Sequence, residues 1–190
     1  MQTIVWDVDD VLNDLMRAWY EQAWLPAHPQ CAFRYAELTE NPPQRLLGVS
    51  QEQYLASLDA FRLSERGRDL TPLPEVVAWF RQSGARFRHM ALTATPLLSA
   101  PLSAGWVMRH FGVWIRSFHF IPSPRQGQSA PEYDQSKADF LRWFGHADVL
   151  VEDNLVQLEA ARRLSMQTVL IPRPWNGSRQ TIGDALMTLA

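Results

Sequence analysis

The chain has 190 residues, 46% of them hydrophobic and 20% charged, a composition that can bury a good core and excludes an extended, disordered protein. A formal net charge of −2 gives no general attraction to nucleic acid polymers or to anionic membranes. Cys31 stands alone, which excludes an internal disulfide framework and a cysteine-based zinc site. No apolar run approaches the roughly 18 residues of a membrane span and no basic leader precedes the first strand pattern, so a cytoplasmic protein is expected.

Taken in chain order, short apolar segments at 3–6, 87–92, 113–121, 148–151 and 168–171 read as buried parallel strands. Helical periodicity separates them. In the segment 73–80, Pro74 suits a first turn, Val76, Val77, Trp79 and Phe80 supply an apolar stripe, and Gly84 suits the end. The segment 137–144 places Ala138, Leu141 and Phe144 on one face, and 155–164 runs straight into the last strand. Strands alternating with helices predict the α/β class, a three-layer Rossmann-like parallel sheet.

The gap between the first two strands is too long. A parallel crossover needs a dozen residues or somewhat more, yet about 80 separate Asp10 from Phe87. Residues 13–71 therefore read as a small helical cap, inserted after the first strand into a core made of 1–12 and 72–190. Helical patterns at 15–24 and 51–61 flank a Pro-rich bend at Asn41-Pro42-Pro43. Such a cap is expected over the C-terminal end of the first strand, the edge at which open α/β sheets bind ligands. Trp19, Tyr20, Trp24, Arg34, Tyr35 and Arg45 suit either substrate contact or the cap's own core and surface.

The chemistry-bearing residues fall at predicted strand ends. Asp7, Asp9 and Asp10 crowd together behind the first strand, although neighbouring carboxylates repel and resist losing water. The second strand is expected to end at Leu92, so that Thr93, Ala94 and Thr95 offer a hydroxyl and free N–H groups at a helix start, a setting for an anionic oxygen. The fourth strand ends in Glu152-Asp153-Asn154, and Lys137, the only lysine in the chain, opens a helix. Each feature alone has a plainer reading: a solvated loop, an N-cap, a surface lysine, a turn. Brought to one edge, the two acidic clusters would hold a hard cation such as Mg²⁺, while Lys137 and Thr93 neutralise a phosphoryl group. One carboxylate of the first pair is then free to attack phosphorus and the other to handle protons. A calcium loop is excluded because Val11 and Leu12 break its pattern.

The order DxDxV, a Thr after a strand, a Lys, and an acidic pair after another strand resembles the haloacid dehalogenase (HAD) superfamily. The resemblance covers about residues 1–12 and 72–175, and the segment 13–71 resembles that superfamily's type-1 helical cap. It implies that Asp7 is a nucleophile forming an aspartyl-phosphate and that Asp9 is the general acid and base. It further implies Mg²⁺ held by the carboxylates of Asp7 and Asp153 and the backbone carbonyl of Asp9, with Glu152 holding metal-bound water. Thr93 and the N–H of Ala94 would bind phosphoryl oxygens, and Lys137 would bridge phosphate and Asp7. The expected activity is Mg²⁺-dependent hydrolysis of a small phosphomonoester, with a nucleotide as one candidate. Asp10 and the Glu-Asp pair depart from the commonest motifs. The opening DVDDVLN, the modest cap and Arg173-Pro174-Trp175-Asn176 look most like the 5'(3')-deoxyribonucleotidase-like branch. A phosphotransferase using the same intermediate, a catalytically silent HAD-like binding scaffold and a receiver-type phospho-acceptor domain are the alternatives. The last fits poorly, because receivers are about 120 residues long and carry no cap. Substrate identity and oligomeric state have no signal in the sequence.

Overall fold

The structure, a computed structural model, describes residues 1–131 and 133–189. Its centre is β1 (Thr3–Trp6), which pairs in parallel with β2 (Arg88–Thr95) on one side and β4 (Val149–Glu152) on the other. Outside these lie β3 (Ile115–Pro122) and β5 (Gln167–Leu170), completing the all-parallel order β3-β2-β1-β4-β5. A strand hydrogen-bonded on both edges and covered on both faces has no wet side, so Ile4, Val5 and Trp6 are all fully buried.

Alternation along β1 divides the core into two layers. Ile4 and Trp6 face the helices α5 (Pro74–Ser83) and α6 (Ala100–Phe111), where Trp6 packs 4.7 Å from Phe80 and 5.2 Å from Trp79, centroid to centroid. Val5 points the other way, onto α7 (Lys137–Phe144) and α8 (Leu155–Arg162), into a cluster with Phe140, Leu141 and Leu158. The final helix α9 (Ile182–Met187) joins the first layer through Ala185 and Leu186. Three layers result, as the alternation of strand and helix patterns predicts.

Residues 13–71 are mainly helical. They begin with α1 (Leu15–Trp19), continue through a widened π-helical turn over Tyr20–Trp24 and a last turn α2 (Leu25–Ala27), and later form α3 (Gln51–Leu63) and α4 (Glu65–Arg68). The expected helix over 15–24 is thus α-helical only to Trp19. Pro26, which has no N–H to continue an α-helical ladder, sits just beyond the widened turn. α3 is capped at its start by Ser50, whose hydroxyl accepts from Gln53 N–H at 3.1 Å while Gln53 returns a bond to Ser50 N–H at 3.0 Å.

Two strand boundaries differ from the sequence reading by more than one residue. β2 does not stop at Leu92, because Thr93, Ala94 and Thr95 stay in register with Phe120, Ile121 and Pro122 of β3. Pro96 then ends it, and α6 opens only at Ala100, so Thr93 does not stand at a helix start. β3 begins at Ile115 rather than 113, since the turn after α6 leaves Val113 exposed. Among the described residues no helix is long and apolar enough to cross a membrane.

Candidate active site

The chain runs from β1 outward to β2 and β3, then crosses back to β4 on the other flank, so the strand order reverses beside β1. At such a point the loops leaving adjacent strands diverge and open a crevice at the carboxyl edge. Asp7 and Asp153 flank it. Asp7 follows β1 directly, and its N–H donates to the Val151 carbonyl of β4 at 3.0 Å, which holds it beside the Glu152-Asp153 pair. The carboxylates of Asp7, Glu152 and Asp153 each offer an oxygen within 4.8 Å of the others.

Lys137 is the cation inside this group. Its Nζ lies 2.7 Å from Asp7 Oδ1 and donates to both Glu152 oxygens, at 3.3 and 3.2 Å. A positive charge at the first residue of a helix opposes the helix dipole, so its place at the start of α7 requires compensation from elsewhere. Asp7 and Glu152 provide it. Burial works against the charge on Lys137, yet these two carboxylates outweigh burial and hold its ammonium above the ordinary lysine range.

Three carboxylates facing one ammonium leave an excess of negative charge. Burial, reinforced by the charge on Asp7, pushes Asp153 up to about 6 and drives Glu152 well above the ordinary carboxylate range. Asp7 Oδ1 is itself buried, with an ion-pair contact to Lys137 but no aligned hydrogen bond. A cluster of hard oxygen donors that resists ionising together fits a small divalent cation such as Mg²⁺.

Asp9 is not part of this triad. Its Oδ2 accepts from Arg62 Nη2 at 3.0 Å and its Oδ1 from Asn13 Nδ2 at 3.4 Å, so its side chain turns toward α3. Asp10 is buried with φ +62°, a conformation that glycine adopts most easily. Its Oδ1 accepts from Met16 N–H at 3.0 Å and its carbonyl accepts from Arg173 Nε at 2.7 Å. Asp10 thus fastens the chain where it leaves β1. Thr93 and Ala94 line the same cavity of about 170 Å³, together with Asp7, Asp9, Lys137, Glu152 and Asp153.

No family model matches the sequence, and no curated protein is similar to it. Solved structures are. A haloacid dehalogenase-like family hydrolase from Streptococcus pneumoniae superposes with a TM-score of 0.65 at 12% identity, over 99% of this chain and 90% of that one. A Thermotoga maritima protein proposed to be a beta-phosphoglucomutase gives 0.61 at 18% identity, over 100% and 98%. A Clostridium acetobutylicum protein proposed to be a phosphatase gives 0.61 at 11% identity, over 97% and 90%. The fold is that of the haloacid dehalogenase-like hydrolases.

Within this HAD-like fold, the segment 13–71 contributes Leu15, Met16, Asn41, Tyr54, Leu58 and Arg62 to the cavity wall. None of these six is among the substrate-contact candidates drawn from the sequence. Trp19, Tyr20 and Trp24 are buried in the segment's own core. Arg34 pairs with Glu37 and Arg45 with Glu40 on the surface, and Tyr35 is buried beneath the Arg17 guanidinium. None of the six candidates lines the cavity.

Sequence reasoning missed Arg62, and it named Trp175 only within the Arg173–Asn176 stretch and gave it no role at the site, where its Nε1 donates to Asp153 Oδ2 at 2.7 Å. Arg62 Nη1 also pairs with Asp59 Oδ1 at 3.1 Å, and Arg125, from the loop after β3, donates through Nη2 to the same Asp59 oxygen at 3.0 Å. Burial opposes the charge on Arg62, but Asp9 and Asp59 outweigh it and keep the guanidinium above its ordinary value. The one local signal was spacing: Asp59 and Arg62, one turn apart, share a face of α3.

Proposed function

We propose that this chain is a Mg²⁺-dependent hydrolase of small phosphomonoesters that acts through Asp7. The observation that carries the reading is the cluster of Asp7, Lys137, Glu152 and Asp153 at the strand-order reversal, with the Asp9 carboxyl two residues from Asp7 turned out of it. The HAD-like fold of the similar structures supports the same class of chemistry.

In this reading a carboxylate oxygen of Asp7 attacks phosphorus, the ester oxygen departs with a proton from Asp9, and an acyl phosphate remains on Asp7. Asp9, now a base, takes a proton from water as that water attacks the acyl phosphate and releases inorganic phosphate. Lys137 holds Asp7 in place and balances its charge. Thr93 and the N–H of Ala94 receive the phosphoryl oxygens. The carboxylates of Asp7 and Asp153 and the carbonyl of Asp9 would hold Mg²⁺, beside Glu152, and the ion would neutralise the incoming phosphoryl charge. For Asp9 to carry a proton, Arg62 has to release it, and an arriving phosphate dianion gives Arg62 a competing partner.

The segment 13–71 acts as a cap that encloses the reacting groups and keeps out large substrates. The branch resemblance and the small cavity together favour compact esters, nucleoside monophosphates among them. Hydrolysis of p-nitrophenyl phosphate with Mg²⁺ by the native protein, and its loss in Asp7→Asn, is the expected result. Full activity in Asp7→Asn would overturn the nucleophile. No turnover of any of a broad panel of phosphomonoesters by the native protein would favour the binding scaffold instead.

A further inference from the structure

The turn after β5 grips the site from below at two places. Arg173 is buried, and its guanidinium donates to the Asp10 carbonyl at 2.7 Å, to the Asn13 carbonyl at 3.2 Å and to the Asp14 carboxylate at 3.1 Å. All three acceptors lie where the chain leaves β1 for the cap. Pro174–Asn176 then forms a single 3₁₀ turn. From it, Asn176 Nδ2 donates to the carbonyls of Asp153 and Ile171, each at 2.9 Å. Trp175 Nε1 donates to Asp153 Oδ2 at 2.7 Å, and Tyr35 meets the Trp175 ring edge-on, 6.3 Å between centroids.

An aspartate side chain is short, and once its backbone is fixed the main remaining freedom is rotation of the carboxyl group. Asn176 fixes the backbone of Asp153, and the Trp175 N–H fixes one carboxylate oxygen. The place of the other oxygen follows. The indole itself has little freedom, because Arg173 anchors the turn on one side and Tyr35 abuts the ring on the other.

We propose that Trp175 is a positioning residue that sets the divalent-cation affinity of the Asp7–Glu152–Asp153 cluster by orienting the Asp153 carboxylate. The inference rests on reading that cluster as a cation site, and it adds a residue 22 positions from Asp153 that does not line the cavity. Outer partners of metal-ligating groups commonly control affinity by 10–100-fold. Trp175→Phe keeps an aromatic ring in the turn and removes the donor together with the five-membered ring, so a weakening of about that size is expected.

The experiment titrates Mg²⁺ and Mn²⁺ calorimetrically into chelator-stripped full-length protein, native and Trp175→Phe, both checked for equal melting temperature. Weaker binding by Trp175→Phe supports the inference, and equal binding overturns it. Absence of binding by the native protein would instead overturn the cation site itself, so the two failures are distinguishable. A second measurement needs no variant. In the native protein, the indole N–H resonance of Trp175 should move on Mg²⁺ addition by more than those of the other seven tryptophans. A Trp175 resonance unmoved at saturating Mg²⁺ overturns the proposal.

Discussion

Arg62, on the helix α3 of the inserted segment, places its guanidinium 3.0 Å from the carboxylate of Asp9, on the loop that leaves β1. The contact continues as an alternating chain, Asp9, Arg62, Asp59, Arg125, whose two ends belong to loops after β1 and β3. The helix α3 is thereby tied to the core at two points, on the carboxyl edge of the sheet.

Because the Arg62 and Asp9 side chains are only 14% and 21% exposed, this pair is worth more than a surface ion pair. Arg62→Ala leaves Asp9 and Asp59 short of a partner and is expected to cost about 1–3 kcal/mol in urea denaturation. Arg34→Ala breaks a pair whose members are 82% and 43% exposed, and it should cost less than about 1 kcal/mol. Equal small losses from both would mean that the Arg62 pair does not hold in solution.

Lys137 is buried among Asp7, Glu152 and Asp153, so its removal leaves Asp7 and Glu152 without their ion-pair partner. Lys137→Met in the presence of chelator should lose about 3–5 kcal/mol relative to the native protein. Mg²⁺ should restore part of that loss by binding only the folded form. Thermal unfolding with and without Mg²⁺ reads both effects, and a Lys137→Met protein as stable as the native one would show that Lys137 is not the cluster's counter-ion.

Asp9 and Asp7 are expected to fail in different ways. Asp9→Asn should slow turnover by about 10²–10⁴-fold, the usual contribution of general acid–base catalysis, while cation affinity stays close to native. The Asp9 side chain lies outside the carboxylate triad, which is why binding should survive. Steady-state kinetics paired with calorimetry separates the two effects. A collapse of affinity would make Asp9 a side-chain ligand.

His89 makes folding depend on pH. It sits buried between the Trp6 indole, which donates to its Nδ1 at 3.0 Å, and the Gly84 carbonyl, 2.7 Å from its Nε2. Burial holds its pKa below the ordinary 6.5, the bond to Gly84 opposing in part. The folded protein therefore binds fewer protons here than the unfolded chain. Stability from this group is complete above pH 6.5 and is lost as pH falls below it, by at most about 1.4 kcal/mol per pH unit. The melting temperature of His89→Gln should fall less steeply than that of the native protein from pH 7 to 5. His110 and His119, also held low by burial, leave some slope in both. Parallel curves would refute the assignment.

Much of this protein was legible in the sequence because the relevant forces are local. A strand paired on both edges and covered on both faces must be apolar throughout, so β1 and β4 announce themselves, and the acids at their ends stand out against them. Helix α7 falls at 137–144 as its periodicity predicts, with Ser136 as its N-cap. Chain length between the first two strands marked more than a simple crossover there, and helices α1 to α4 fill it.

Only the tertiary structure decided the rest. The ladder with β3 carries β2 past Leu92 to Thr95, where Pro96 ends it. Trp19, Tyr20 and Trp24 fit a substrate wall or a small core equally well by spacing, and packing makes them core. Asp10 stands in the sequence as one of three crowded carboxylates and proves to be a buried fastening, bonded to Met16 and Arg173. Arg62 meets Asp9 across 53 positions and Trp175 meets Asp153 across 22. Side chains so far apart in the chain have no periodicity in common; which of them meet is fixed by how the layers pack, and that is settled only when the whole chain has folded.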